Sequence, residues 1–340
     1  MKALVFERIG DPGSVLAVRE LPKPKPGAGE VLVRVRLSPV HPSDLHIMRG
    51  RFGRQPTLPA SPGIECVGVV EGLGSGVAGP APGTRVVLLN VWGSWREFIV
   101  SPAERVIPVP DALSDEDAAQ ALVNPVTAWV MTMLELGLKP GDWLIQTAAG
   151  STVGQIVLQL AGSERFRTVN IVRRRAQVPY IKALGGEVVI TGEDDDWSAQ
   201  LATAAQERAL SRAIDCVAGS TGATVARHLA PGGRMLVYGA LSSHRQTNPS
   251  AFEMPVFAPR LIYSAATVQG WYLLHWLEVT PLADSGAVLV KVLERLASGA
   301  LRLPQAKRHR PQNVADALRD ADGAPREGKP LLDIESWGAR

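Results

Sequence analysis

The sequence predicts an α/β protein in which a doubly wound parallel sheet is joined to a separate β-rich body. Three observations predict it: valine-rich runs bounded by turn residues in the first third, regular strand–helix alternation from Asp142 onward, and a late apolar run able to rejoin the first body. Alternation with short connections requires right-handed crossovers and therefore a parallel sheet. A length of 340 residues is sufficient for two domains.

The β-rich body is predicted from period-two patterns and turn punctuation. Glu30 to Val35 alternates polar and apolar residues, as a half-buried strand does. Ser114 then stands where a helix N-cap is expected, before an acidic first turn and an alanine-rich stretch. Further short strands of this body are predicted at 3–6, 66–70 and 84–88.

From Asp142 the pattern changes to alternating strands and helices. Predicted strands are 143–147, 168–172, 187–190, 212–217 and 234–238, with a sixth at 265–272. The helical stretches among them are 154–161, 179–184, 197–205 and 223–229. A helix at 287–296 follows, and 331–334 is predicted to return as a strand to the β-rich body.

Composition excludes several classes of function. A net charge of +3, from 36 basic and 33 acidic side chains, is too small and scattered for a nucleic-acid partner. No apolar run has membrane-spanning length, and Met1 to Val5 looks like a first strand rather than a leader. Cys66 and Cys216 cannot form a disulfide framework or a four-thiolate zinc site, and we expect both to be small buried residues. We therefore expect a cytoplasmic protein without nucleic-acid or membrane partners.

The strand at 143–147 and the strand at 168–172 together predict a dinucleotide site. Small residues follow the first strand, where a glycine-rich turn lets backbone approach a pyrophosphate and the next helix points free N–H groups at it. Three arginines follow the second strand, where the adenine ribose lies; arginine favours a 2′-phosphate, whereas an acidic residue would hold a free 2′-hydroxyl. The sequence therefore predicts NADPH as cofactor. The residues concerned are Gly150, Ser151, Thr152, Val153, Gly154, Arg173, Arg174 and Arg175.

A β-rich body followed by such a nucleotide fold resembles the medium-chain dehydrogenase/reductase superfamily, and within it the 2-enoyl thioester reductases. The resemblance extends over nearly the whole chain, with the zinc-independent quinone oxidoreductases next. Each motif is short, but their order and spacing together are specific. They are His41-Pro42-Ser43-Asp44, Gly93 to Glu97, Asn124 to Ala128, Gly150 to Gln155, Val172 to Arg175, Tyr238-Gly239, Gly270 to Leu273 and Lys329.

The resemblance implies a domain organisation and a homodimer. Residues 1–122 and 279–340 would form a GroES-like catalytic domain, and 123–278 a Rossmann-type NADPH-binding domain. Relatives join their nucleotide-domain sheets edge to edge, so the strand around Ala265 to Tyr272 is the expected dimer seam.

The departures from the zinc-dependent relatives predict a site without metal. His41 stands at their first cysteine position, and Ile64 replaces their histidine beside Glu65. Around Val123, near their third ligand, there is no thiol or imidazole. Because a catalytic zinc keeps three protein ligands, we expect no metal, with His41 and His46 as hydrogen-bonded structural residues.

The glycine turn also departs from the family, which usually has a second glycine where Thr152 stands. A β-branched residue disfavours positive φ. Either Thr152 keeps a negative φ, or the cofactor binds more weakly than in the family. The Ser151 and Thr152 hydroxyls could compensate by meeting a phosphate oxygen.

The most consequential departure is Phe52, which matches the tyrosine proposed as proton donor in the enoyl reductases. Phenylalanine cannot donate a proton, but such a group typically contributes 10²–10⁴-fold, so turnover need not be abolished. Water could supply the proton, the substrate could be a quinone, or Phe52 could stack on an aromatic ring or simply line the pocket.

The resemblance supplies further site residues. Asn124 would bond the nicotinamide ribose or carboxamide, or else cap a helix edge; Trp95 and Trp271 would line a cleft between the domains beside Phe52. Lys329 could reach a phosphate. Two further segments complete the predicted cofactor-binding residues: the backbone after the fifth strand and the segment expected beside the nicotinamide. They contain Tyr238, Gly239, Ala240, Leu241, Trp271, Tyr272, Leu273 and Leu274.

Three functions remain open. The first is a zinc-independent NADPH oxidoreductase that reduces the C=C bond of an enoyl thioester or related α,β-unsaturated carbonyl, a small-molecule electrophile. The second is an NADPH:quinone reductase. The third, of another class, is an NADPH-binding protein with little or no catalysis.

Overall fold

The computed structural model describes residues 1–246, 248–323 and 328–337. The chain divides into two compact units. Unit 1 contains Met1–Val123 and Leu277–Arg340, and unit 2 contains Asn124–Trp276.

Unit 1 is built on a mixed sheet whose central strand is β3, Glu30–Pro39. Its alternating Val31, Val33 and Val35 are fully buried in the core of this unit. The other strands of unit 1 are β1 Lys2–Phe6, β2 Leu16–Glu20, β4 Val67–Leu73, β5 Arg85–Leu88, β6 Phe98–Pro102, β7 Val106–Pro108, β14 Ala306–His309 and β15 Lys329–Asp333. β3 pairs antiparallel with β4, β6 and β15, whereas β14 runs parallel to β15, and β1 and β2 form a separate two-stranded sheet.

The predicted return of the chain to the β-rich body is confirmed by β15. This strand runs antiparallel to β3, with Leu331 opposite Pro39 and Asp333 opposite Leu37. The helices of unit 1 surround the sheet. They are α1 Pro12–Val15, α2 Pro42–Met48, α3 Asp115–Ala119, α11 Leu282–Ala297 and α12 Val314–Asp322.

The predicted cap at Ser114 is confirmed. Its side chain accepts a hydrogen bond of 3.1 Å from the backbone N–H of Asp117, which satisfies one of the free donors of the first turn of α3. Three acidic residues in that turn add favourable charge at the positive end of the helix dipole.

Unit 2 is a parallel sheet with the strand order β10-β9-β8-β11-β12-β13. The chain starts at β8, adds β9 and β10 on one side, and then continues with β11 on the other. The order therefore reverses between β8 and β11, and this switch point is where such sheets bind ligands, at the carboxyl ends of the strands. The strands are β8 Trp143–Thr147, β9 Arg167–Val172, β10 Val188–Thr191, β11 Arg212–Asp215, β12 Arg234–Val237 and β13 Thr267–Gly270.

Helices connect the strands of unit 2. The segment α4 continues directly into a π-helical stretch, Val130–Glu135. The helices are α4 Val123–Trp129, which begins in unit 1, α5 Thr152–Glu164, α6 Val178–Ala183, α7 Trp197–Glu207, α8 Gly219–Arg227, α9 Ala258–Ser264 and α10 Leu273–Val279, which ends in unit 1.

The sixth strand is shorter than the sequence predicts. Ala265 takes a left-handed conformation with φ 49° and ends α9, so the strand begins only at Thr267. At the other end, Trp271 donates its N–H to Val237 O and the chain turns into α10. Within the described ranges, no helix combines the length and apolarity that crossing a bilayer requires.

Candidate functional site

The turn from β8 into α5 contains the glycine-rich segment. Ser151, with φ −72°, caps α5 by accepting a hydrogen bond of 3.1 Å from Gly154 N–H. Thr152 is the first helical residue, and the positive φ of this turn, 47°, belongs to Ala148. Of the two alternatives for Thr152, the structure shows the one in which the residue avoids the left-handed region. Val153 is buried one position later.

Gly154 is required by close packing rather than by its dihedral angles. A Cβ atom at this position would lie 2.5 Å from Ala149 O, which no side chain tolerates. Gly150 is similarly crowded, since a Cβ there would lie 2.6 Å from the side-chain nitrogen of Gln177. The turn therefore stays close to the amino end of α5, where backbone N–H groups can receive an anion.

The three predicted arginines follow β9 at the same edge of the sheet. Arg175 has two acidic partners. Its guanidinium lies 2.5 Å from Asp194 Oδ1, and its backbone N–H donates to the Glu193 carboxylate at 2.8 Å. The Arg175 guanidinium is also the main reason why the pKa of Asp194 is lowered. Arg174 donates its backbone N–H to Gln177 Oε1 at 3.1 Å. An anion that binds the Arg175 guanidinium would have to compete with Asp194 for it. Arg173 and Arg174 add two further positive charges to the loop that follows β9.

Polar side chains also gather at the ends of β8, β11 and β12. Asp215 accepts the Thr147 hydroxyl and the N–H groups of Val217 and Ala218, just before α8. Asp215 therefore fixes the backbone of the turn that leads from β11 into α8. Its burial raises its pKa, and burial also raises the pKa of the Cys216 thiol to about 12. Both cysteines are buried, as predicted.

Tyr238 directly follows β12. Desolvation raises the pKa of its phenol well above the ordinary value, and the Cys216 thiol and Ser151 hydroxyl are its polar neighbours. Gly239 passes close to Cys216, because a Cβ there would lie 3.1 Å from Cys216 Cβ. Ala240 and Leu241 follow on the surface, with Leu241 donating its N–H to Cys216 O. The segment after β12 thus shares one edge of unit 2 with the turn after β8.

The segment Trp271 to Leu274 is predicted to lie beside the nicotinamide, but three of its four side chains are buried. Leu273 and Leu274 are only 6% and 2% exposed, so their side chains offer little surface to a ligand. Trp271 is buried as well, whereas Tyr272 is half-buried and stacks on His275 with ring centroids 6.5 Å apart.

In unit 1, the two predicted aromatic lining residues differ. Phe52 is half-buried and meets Trp92 edge to face, with centroids 6.3 Å apart. Trp95 has no exposed surface at all, and its indole N–H donates to Pro39 O at 3.2 Å. The prediction that Trp95 lines a pocket is therefore wrong: the residue is part of the core of unit 1.

A buried polar network occupies the place where the zinc-dependent relatives would bind metal. His41 Nε2 lies 2.5 Å from Glu65 Oε1, and His41 Nδ1 lies 2.9 Å from Lys329 Nζ. Asp44 accepts the N–H groups of His41 and Gly63, and burial raises its pKa to about 7. His41, Asp44, Glu65 and Lys329 are each at most 3% exposed.

This network corrects the prediction for Lys329. The sequence suggested a contact with a cofactor phosphate, but the ammonium is enclosed and donates to an imidazole. The same geometry does not fit a zinc ion. Both ring nitrogens of His41 are engaged by protein groups, Ile64 offers no ligand atom, and the described residues contain no cluster of three potential ligands.

Glu65 connects the network to Asn124. Its second oxygen accepts the backbone N–H groups of Leu122 at 3.1 Å and Val123 at 2.8 Å. Asn124 is the next residue in the chain, half-buried at the second position of α4. In the sequence, Glu65 is notable only as the neighbour of Ile64. The signal that points to it is a single carboxylate inside the apolar run 64–67.

Comparison with known proteins agrees with this geometry. Residues 27–111 match the alcohol dehydrogenase GroES-like domain, and residues 152–285 match the zinc-binding dehydrogenase family. The mitochondrial enoyl-[acyl-carrier-protein] reductase of Mus musculus is 32% identical over 94% of this chain and 84% of its own length. The chain belongs to the medium-chain dehydrogenase/reductase superfamily.

Solved structures of this superfamily have the same fold. A Bacillus thuringiensis protein assigned as an NADPH:quinone reductase superimposes with a TM-score of 0.90 at 28% identity, covering 98% of both chains. An enoyl thioester reductase mutant from Candida tropicalis gives 0.82 at 23% identity, covering 98% of this chain and 99% of its own. The α/β fold predicted from sequence, with a Rossmann-type sheet and a GroES-like domain, is confirmed.

Proposed function

We propose that this protein is an NADPH-dependent reductase that saturates the C=C bond of an enoyl thioester or a related α,β-unsaturated carbonyl. The observation that carries the proposal is the arginine-bearing loop beside the glycine turn of unit 2, in a chain 32% identical to an enoyl reductase. The turn provides an anion site, and the arginines distinguish a 2′-phosphate from a hydroxyl.

NADPH fits the carboxyl edge of the unit 2 sheet. The N–H groups at the start of α5 would hold the pyrophosphate, where Gly154 keeps the backbone close. Arg173 and Arg174 would hold the 2′-phosphate, with Arg175 shared between that phosphate and Asp194. Tyr238, a polar neighbour of Ser151, would border the phosphate site. Asn124 would bond the nicotinamide end.

When bound, the reduced nicotinamide supplies a hydride. The protein's own tasks are to orient the unsaturated carbonyl, stabilise the charge that develops on its oxygen and admit a proton to the α carbon. Phe52 performs none of the acid–base work. The proton would therefore come from water, and the ring of Phe52 would shape an apolar wall for the substrate.

Quinone reduction is the second candidate, and Phe52 is the observation that favours it. A reduced quinone takes its protons from solvent, so a pocket without a donor is no handicap. The 28% identical structural neighbour, described as an NADPH:quinone reductase, is consistent with this reading.

We also propose a homodimer formed through β13. This strand lies at one edge of the unit 2 sheet, and the adjoining α9 exposes Ile262 at 68% and Tyr263 at 86%. A second copy pairing with that edge would cover both the unpaired backbone and the apolar side chains. The cytoplasmic location stays a prediction, since the similar mouse enzyme is mitochondrial.

One parallel assay separates these functions. NADPH absorbance is followed with crotonyl-CoA, a simple enone and a small quinone under identical conditions. Turnover of the thioester supports the first function, and turnover of the quinone alone supports the second. Tight NADPH binding without oxidation by any of the three would contradict both and leave a binding protein.

A further inference from the structure

In the buried network of unit 1, the donor and the acceptor of each hydrogen bond can be assigned. An ammonium can only donate, so His41 Nδ1 must accept from Lys329. The ring proton of the neutral imidazole then lies on Nε2 and is donated to Glu65 Oε1. The other oxygen of Glu65 accepts two backbone N–H groups. Donors and acceptors thus alternate without a mismatch from Lys329 to Val123.

The network ends at the amino end of α4. The N–H groups of Leu122 and Val123 belong to the free donors with which a helix begins, and burial makes it costly to leave them without an acceptor. Glu65 is 2% exposed, so water cannot easily take its place. The backbone at the first residue of α4, directly before Asn124, is therefore fixed by the carboxylate.

We propose that Glu65, held in its orientation by His41, which Lys329 in turn orients, is a positioning residue for Asn124. The inference rests on the proposed function, in which Asn124 bonds the nicotinamide end of NADPH. Lys329 donates to His41 Nδ1, and Glu65 engages His41 Nε2, so protein groups occupy both ring nitrogens of this histidine.

Hydrogen bonding supports an internal polar network. Lys329 is enclosed together with Glu65 and Asp44, and the two Asp44 oxygens accept His41 N–H and Gly63 N–H. Buried ions persist only when they are paired and hydrogen-bonded. Replacing Glu65 by glutamine would break the alternation. Whichever way the amide is turned, its NH₂ group faces a donor, either His41 Nε2–H or the N–H groups of Leu122 and Val123.

The test compares two ligands by calorimetric titration. NADPH carries the nicotinamide, whereas adenosine 2′,5′-bisphosphate has the 2′-phosphate but no nicotinamide. In Glu65→Gln, we expect the NADPH Kd to rise about tenfold, the effect of one lost hydrogen bond. The Kd of the bisphosphate should stay within about twofold, as for a substitution remote from its site. In the same variant kcat/KM should fall about 100-fold, the typical cost of a misplaced group.

Three further variants make the test decisive. Glu71→Gln is the matched control, the same chemical change at a surface carboxylate of β4 that pairs with Lys23, and it should leave both Kd values unchanged. Asn124→Ala should reproduce the selective loss of NADPH affinity. The double variant Glu65→Gln/Asn124→Ala should lose no more than either single variant, because both act through one contact.

Equal weakening of both ligands in Glu65→Gln, or additive losses in the double variant, would show a merely structural role and overturn the inference. An Asn124→Ala variant that binds NADPH normally would instead remove the proposed contact of Asn124, and this inference with it. If Glu65→Gln does not fold, Lys329→Met should show the selective NADPH loss and Lys329→Arg, which keeps a donor for His41, should largely restore affinity. Identical behaviour of these two variants would also overturn it.

Discussion

At the scale of single residues, the arginines after β9 show what a sequence can and cannot reveal. Their position after the second strand is a local feature and predicts a 2′-phosphate site. That Arg175 faces Asp194 depends on the packing of β9 beside β10, which no local pattern shows. The predicted roles of Trp95 as pocket lining and of Lys329 as a phosphate contact are wrong for the same reason. Whether a side chain is enclosed depends on partners distant in sequence, here Pro39 for Trp95 and His41 for Lys329.

Cofactor preference tests the arginine loop. Arg173→Ala combined with Arg174→Ala should raise the Kd for NADPH about 100-fold, since charge-assisted hydrogen bonds contribute about 1.5–3 kcal/mol each. The Kd for NADH should change little, because NADH has no 2′-phosphate. Fluorescence titration with both cofactors measures the ratio.

Two single variants sharpen that measurement. Arg175→Ala should lose less affinity for NADPH than the pair, because Asp194 already engages that guanidinium. Arg167→Ala is the control, an exposed arginine at the start of the same strand whose partner is Glu187. Equal losses of NADPH and NADH affinity in the Arg173/Arg174 variant would refute the assignment.

Phe52 gives a second prediction at this scale. Phe52→Tyr restores the hydroxyl that the enoyl reductases carry and should raise thioester reduction by about 10²-fold, the lower range for a proton-transfer group. Quinone reduction should be unaffected, since solvent protonates its product. Initial rates of NADPH oxidation with each substrate check this. An unchanged or lower thioester rate would argue that the pocket is adapted to another substrate.

At the scale of elements, the strands and helices of unit 2 were largely predictable because each has its own apolar period and turn residues. The start of β13 differs from the prediction. The sequence predicts a strand from Ala265, but the left-handed Ala265 ends α9 and delays the strand by two residues. The His41–Lys329 pair joins residues 288 positions apart, so it lay beyond any reasoning from local pattern.

The α5 helix contains two glycines that differ in their surroundings and serve as a matched pair. A Cβ at Gly154 would lie 2.5 Å from Ala149 O, whereas a Cβ at Gly162 would meet nothing within 4 Å. Gly154→Ala should lower the free energy of unfolding by about 1–3 kcal/mol through overpacking and weaken NADPH binding. Gly162→Ala should raise it by about 0.5–1 kcal/mol, since alanine restricts the unfolded chain. Denaturant unfolding of both variants checks the sign; equal effects would contradict the close approach in this turn.

At the scale of the whole molecule, the exposed edge of β13 predicts the assembly. Tyr263→Glu places a charge on the most exposed large hydrophobic residue of α9 and should shift the protein toward monomer. Tyr180→Glu, on an equally helical but distant surface of α6 with 51% exposure, should not. Light scattering coupled to size exclusion distinguishes the two. A monomeric parent protein, or dimers in both variants, would exclude this interface.

In the proposed reaction, a hydride passes from NADPH to a carbon–carbon double bond with no part taken by a metal ion or by a tyrosine at position 52. The most direct measurement supplies NADPH deuterated at the transferable position together with crotonyl-CoA in the presence of a chelator, and analyses the product by mass spectrometry. We expect butyryl-CoA carrying one deuterium on its β carbon. Recovery of unreduced crotonyl-CoA, or of saturated product without deuterium, would contradict it.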